Sequence, residues 1–172
     1  MNRVPAWLWL GLGAVLLGLA VGPGRERLRR VFTWAELTRS NTAQRLGLSN
    51  APTPEAAEAM RALVENVVSP LQEQLGDREI EITSGYRSQA VNEAVGGAEA
   101  SQHMSGEAID IKVPGMSAQQ LVTFIRNSGL PFDQLIWYDV ARGGHVHVSY
   151  SQTRSNKRQV KYAPASGGYR TV

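Results

Sequence analysis

Apolar and polar positions along this chain fall into blocks of different period. Residues Val4 to Val21 carry almost no polar side chain, and charge returns at Arg25. A run of that length just spans a bilayer, and Trp7 and Trp9 near one end, with arginines beyond both ends, stand where interfacial anchors belong. Pro23 would directly follow a cut at Ala20-Val21-Gly22, which argues for an uncleaved anchor. After a lead-in from Phe32 to Leu48, Thr53 and Pro54 suit the start of a helix whose Ala56, Met60, Leu63, Val64, Val67 and Leu71 share one face, with a kink expected at Pro70. Glu79 to Thr83 alternates as a half-buried strand, and Ser88 to Val95 reads as a short helix closed by Gly96-Gly97. Glu107 to Val113 alternates again, with Ile109, Ile111 and Val113 on one face and Ala108 and Asp110 on the other. Ser117 opens a capping-box helix ended by Gly129, and residues 134–138 and 145–150 predict two strands of a hairpin. From Ser151 the periodicity is lost, and the end reads as a basic, flexible tail.

The absence of cysteine excludes disulfides, thiolate metal sites and a cysteine nucleophile. The net charge is only +3, with basic residues grouped at Arg25 to Arg30 and Arg154 to Lys161 rather than interleaved with aromatics over a face. That pattern speaks against nucleic acid as a partner. The length beyond the anchor suffices for one domain with a real core, expected to be a monomer.

The histidines change the picture. All 3 fall in two short segments, Ser101 to Asp110 and Gly144 to Ser149. His103 precedes the strand of Asp110 in a loop freed by Gly106, so one ion could meet imidazole and carboxylate. The strand period puts His145, His147 and Ser149 on one face. The competing reading, a polar face on a solvent-exposed edge strand, leaves this clustering unexplained. Three ligands, His103, Asp110 and His147, suit a single zinc ion with an open position, which lowers the pKa of a bound water to around 7 and polarises a carbonyl. His145 is then the imidazole left for proton transfer, with Asp139 or Glu107 as carboxylate alternatives. Arg87, at a strand end, can steady an oxyanion or hold a substrate carboxylate.

Ser84-Gly85-Tyr86-Arg87, the Ser-x-His-x-x-Gly-x-Ala-x-Asp motif at Ser101 to Asp110, and His145-x-His147 together resemble the zinc D-Ala-D-Ala carboxypeptidases, with the related vancomycin-resistance dipeptidases and phage endolysins. The likeness covers about Phe32 to Tyr150, and the segment from Phe132 to Trp137 resembles the phage-type variant. The resemblance implies an α+β fold of the hedgehog/DD-peptidase type, with an antiparallel sheet flanked by helices. It implies His103, Asp110 and His147 as zinc ligands, His145 and Arg87 as catalytic residues, and Arg87, Ser101 and Trp137 as substrate contacts. Many relatives carry an acidic base where Gly144 stands here, so the histidine-based variant fits better. The expected organisation is a membrane anchor at 1–24, a basic linker at 25–31, a peptidase domain at 32–155 and a tail at 156–172. The implied function is hydrolysis of peptidoglycan peptides, as a D-Ala-D-Ala carboxypeptidase or a murein endopeptidase. Its expected place is the bacterial inner membrane with the domain facing the periplasm, while the four arginines from Arg25 to Arg30, read by the positive-inside rule, lean toward a cytoplasmic domain. A non-catalytic, zinc-stabilised cell-wall-binding or phage structural module is the alternative.

Overall fold

A computed structural model of the protein describes residues 31–172. The anchor and most of the basic linker expected from the sequence lie outside the described residues; among those described, no helix is long and apolar enough to cross a membrane. The elements are α1 (Trp34–Thr38), α2 (Asn41–Leu46), α3 (Pro54–Leu63), α4 (Ser69–Leu75), β1 (Glu81–Ser84), α5 (Gln89–Ala94), β2 (Ala108–Lys112), α6 (Ala118–Asn127), β3 (Gln134–Tyr138), β4 (Val146–Ser149), β5 (Gln159–Ala163) and β6 (Arg170–Thr171).

Local chemistry accounts for the helix starts. The side-chain oxygens of Thr33, Ser40, Thr53, Ser88 and Ser117 each accept a backbone N–H of the first turn, satisfying donors that the helix itself cannot pair. Between α3 and α4 the chain stays helical through a π turn at Val64–Val68. Pro70 lacks an N–H and its ring crowds the carbonyl one turn back, so the strain expected at that residue is taken up by a wider turn just before it.

The strands form one sheet in the order β1-β2-β4-β3-β5-β6. Four of its pairings are antiparallel, but β3 and β5 run parallel, with Gln134 to Tyr138 facing Gln159 to Ala163. The sheet is therefore mixed, where an antiparallel one was expected. The segment expected as a structureless tail supplies the parallel strand, and it carries buried Val160 and Ala163. One face of the sheet, with Ile109, Ile111, Leu135, Val146 and Val148, packs against Met60, Leu63 and Leu71 of α3 and α4 and Leu121 and Ile125 of α6 in a single apolar core. The strand period sends Asp110, Ile136, Tyr138 and His147 to the opposite face.

Candidate active site and metal centre

Sheet register assembles the centre. Asp110 of β2 and His147 of β4 are direct partners across an antiparallel ladder, so their side chains rise together from one face. Because β2 lies between β1 and β4, and β4 between β2 and β3, both residues stand on inner strands, which removes the edge-strand reading.

His103 comes from the loop that precedes β2. Gly106 turns that loop at φ 74°, and a Cβ there would sit 2.0 Å from the Ala56 carbonyl oxygen of α3. Only glycine lets the loop lie this close, since it accepts positive φ and has no side chain. The loop is bonded in turn to the segment after β1: the Arg87 N–H donates to the His103 carbonyl at 3.2 Å, and His103 Nδ1 donates to the Gly85 carbonyl at 2.8 Å. Asn50 holds that segment, donating to the Thr38 and Tyr86 carbonyls and accepting from the Ser88 N–H.

Three ligand atoms converge. His103 Nε2 lies 3.2 Å from His147 Nδ1 and 3.3 Å from Asp110 Oδ1, and His147 Nδ1 lies 3.2 Å from the same oxygen. Around a tetrahedral zinc ion with ligand distances of about 2.0–2.1 Å, neighbouring donor atoms stand about 3.3 Å apart. The three residues are 3%, 6% and 7% exposed in the order His103, Asp110, His147, and together they form a candidate metal site. Protonation points the same way. His103 commits its Nδ1 proton to the Gly85 carbonyl, which leaves its Nε2 bare, and His147 Nε2 faces Gln102 Oε1 at 3.4 Å, an acceptor on the outer side of the ring. Two imidazole nitrogens and a carboxylate oxygen converging on one point suit a cation.

Burial alone would raise the Asp110 carboxyl, but His103 and His147 outweigh it and hold the group well below the usual carboxylate range. Burial pushes the His147 imidazole down, against the pull of Asp110. A metal site wants an ionised carboxylate and an imidazole kept from protonating, and the shifts of Asp110 and His147 go that way.

Arg87 ties the other carboxylate oxygen. Its Nη2 lies 2.9 Å from Asp110 Oδ2 and its Nε donates to Ser84 Oγ at 3.0 Å. Asp110 is thus directed to offer Oδ1 alone, and a positive charge stands at the rim. His145 reaches the same Oδ2 at 3.9 Å through Nε2. Its ring stacks on Tyr138 with centroids 4.3 Å apart, and burial lowers its pKa, only partly offset by Asp110.

The structure does not gather every expected residue. Trp137 faces the opposite side of the sheet, aligned with Val146, and stacks on Tyr162 at 5.1 Å. A direct substrate contact through Trp137 is therefore corrected: the aromatic on the site face is its neighbour Tyr138. Ser101 shapes the His103 loop through backbone bonds, accepting from the Met104 N–H and donating to the Ala98 carbonyl. The carboxylates weighed as alternative bases are engaged elsewhere, Asp139 with the Ala141 N–H and the Tyr162 hydroxyl, and Glu107 with Ser151 and Arg154. Sequence reading passed over Gln102, Asp133 and Tyr138. The strand period alone could have placed Tyr138, two residues beyond Ile136, which pairs with His147.

The family comparison matches this geometry. A family model described as Peptidase M15 matches residues 30–149, a span that holds all three candidate ligands together with Arg87 and His145. The chain belongs to the peptidase M15 family. Within it, the chain is similar to the zinc D-Ala-D-Ala carboxypeptidase of Streptomyces albus G, at 35% identity over 120 residues, which is 69% of this chain and 45% of that protein. The match therefore spans less than half the length of this curated M15 relative.

Proposed function

We propose that this protein is a zinc-dependent peptidase acting on the peptides of bacterial peptidoglycan. The observation that carries the reading is the triangle of ligand atoms from His103, Asp110 and His147, with edges of 3.2–3.3 Å, in a peptidase family. Those three residues would hold the ion, which when bound supplies an activated water and a Lewis acid for a carbonyl oxygen.

The rest of the chemistry belongs to side chains of this chain. His145 is placed to accept a proton at Nε2 and return it to the leaving amine, its ring held by the stack on Tyr138. Arg87 binds the outer carboxylate oxygen of Asp110 and presents a guanidinium charge to a substrate carboxylate or a developing oxyanion. The hydrophobic stretch from Val4 to Val21 would tether the domain at the inner membrane, facing the wall.

The test uses the full chain, loaded with zinc, on purified peptidoglycan, with mass spectrometry of the released fragments and Asp110→Ala as control. Release of single D-alanine identifies a carboxypeptidase, and release of longer peptides or opened crosslinks an endopeptidase. No product from zinc-loaded protein would refute the proposal in favour of a binding module.

A further inference from the structure

We propose that Gln102 and Asp133 form a polarity relay that decides which ring nitrogen of His147 carries the proton, making both of them positioning residues for the metal centre. The inference rests on the metal reading of the site and adds residues that none of the motifs contain as ligands.

The problem that the relay solves is set by the geometry. His147 Nδ1 stands 3.2 Å from two acceptors, Asp110 Oδ1 and His103 Nε2. In the absence of a metal these acceptors draw the imidazole proton inward, onto Nδ1. That tautomer cannot ligate through Nδ1, since a ligand nitrogen must offer its lone pair. Something on the outer side must hold the proton on Nε2.

Gln102 Oε1 is that acceptor, 3.4 Å from His147 Nε2. An amide can flip and present its NH2 instead, which would reverse the effect. Asp133 forbids the flip. Gln102 Nε2 donates to Asp133 Oδ2 at 2.8 Å, and an ionised carboxylate only accepts, so the NH2 end of the amide is bound to face Asp133 and the oxygen to face His147. Asp133 is only 2% exposed, and a buried carboxylate stays charged only when well bonded. Arg154 Nη1 reaches its Oδ2 at 3.0 Å and the Lys157 N–H donates to its Oδ1 at 3.0 Å. Burial would raise its pKa, and these bonds with that of Gln102 bring it below the usual value. Arg154 in turn pairs with Glu107 of the motif loop. The relay thus runs from the basic segment after β4 to the metal-facing nitrogen of His147, in the manner of the outer partners that orient ligating histidines.

The test reads the proton directly. In metal-free full chain with 15N-labelled histidine, long-range 1H–15N NMR should show His147 protonated on Nε2. Gln102→Met, which keeps length and removes the amide, should move that proton to Nδ1 and weaken zinc binding about 10- to 100-fold in chelator competition. Asp133→Asn, which frees the amide to flip, should give a mixture of tautomers and an intermediate affinity. A proton that stays on Nε2 in Gln102→Met, or a zinc affinity within twofold of wild type, overturns the relay. Wild-type protein that binds no zinc would instead overturn the metal reading, and the tautomer measurement on metal-free protein separates that failure from this one.

Discussion

Zinc removal should cost this domain a measurable part of its thermal stability. His103 Nε2, His147 Nδ1 and Asp110 Oδ1 lie 3.2–3.3 Å from one another on three buried residues. A cation held by all three would tie β2, β4 and the His103 loop together. An ion held only by the folded state stabilises it by about 4 kcal/mol when present at roughly 1,000 times its dissociation constant. For a domain of this size each kcal/mol shifts Tm by about 3 °C, which predicts a difference of about 10–15 °C between zinc-loaded and chelator-treated protein. Differential scanning calorimetry on the full chain at fixed pH, with buffered free zinc, measures it. Asp110→Asn, nearly isosteric, should reduce the gap to a few degrees by weakening the site without opening a cavity. Equal Tm with zinc and with chelator, or an undiminished gap in Asp110→Asn, would refute the assignment of the triangle.

Three further outcomes follow from the same contacts. His145→Ala should bind zinc normally and lose about 10²- to 10⁴-fold in kcat on a muropeptide; near-normal turnover would return the role of base to a carboxylate such as Asp139 or Glu107. Gly106→Ala should destabilise the fold by about 2–5 kcal/mol, from strain at φ 74° and a Cβ 2.0 Å from the Ala56 carbonyl, and lower zinc affinity because His103 moves with the loop; unchanged denaturation midpoints would contradict it. The Asp133 carboxyl titrates below its usual value when folded, so its contribution is full above the unfolded pKa of about 3.9 and is lost as pH falls through the lower folded value. The Tm gap between wild type and Asp133→Asn should thus hold from pH 7 to about 5 and narrow below about pH 4, and a gap that persisted unchanged to pH 2.5 would falsify the bonding described for Asp133.

The chemistry of the centre was legible in the linear chain because metal ligands are few in kind and strands alternate. The histidines and Asp110 were conspicuous by type and spacing, and period two placed Asp110 opposite the apolar Ile109 and Ile111. The capping residues Thr53, Ser88 and Ser117 marked helix starts for the same local reason, since they bond to N–H groups within three residues.

What only the folded chain decided was long-range. Alternation says which residues share a face but not which strand lies alongside, and the pairing of Asp110 with His147 or of β5 with β3 depends on register between segments far apart in sequence. Trp137 illustrates the limit: its family likeness suggested a substrate contact, while the sheet turns it toward the helices and gives Tyr138 the site face. Gln102, Asp133 and Arg154 carry no motif signal of their own, because a polar side chain acquires its role from whichever donor or acceptor the fold brings within about 3 Å. The sequence by itself determined which atoms could hold an ion and which faces they rise from. The tertiary structure determined their mutual distances, the partners that set their protons, and the use of a basic segment as the sheet's parallel strand, since each depends on contacts between residues that are remote along the chain.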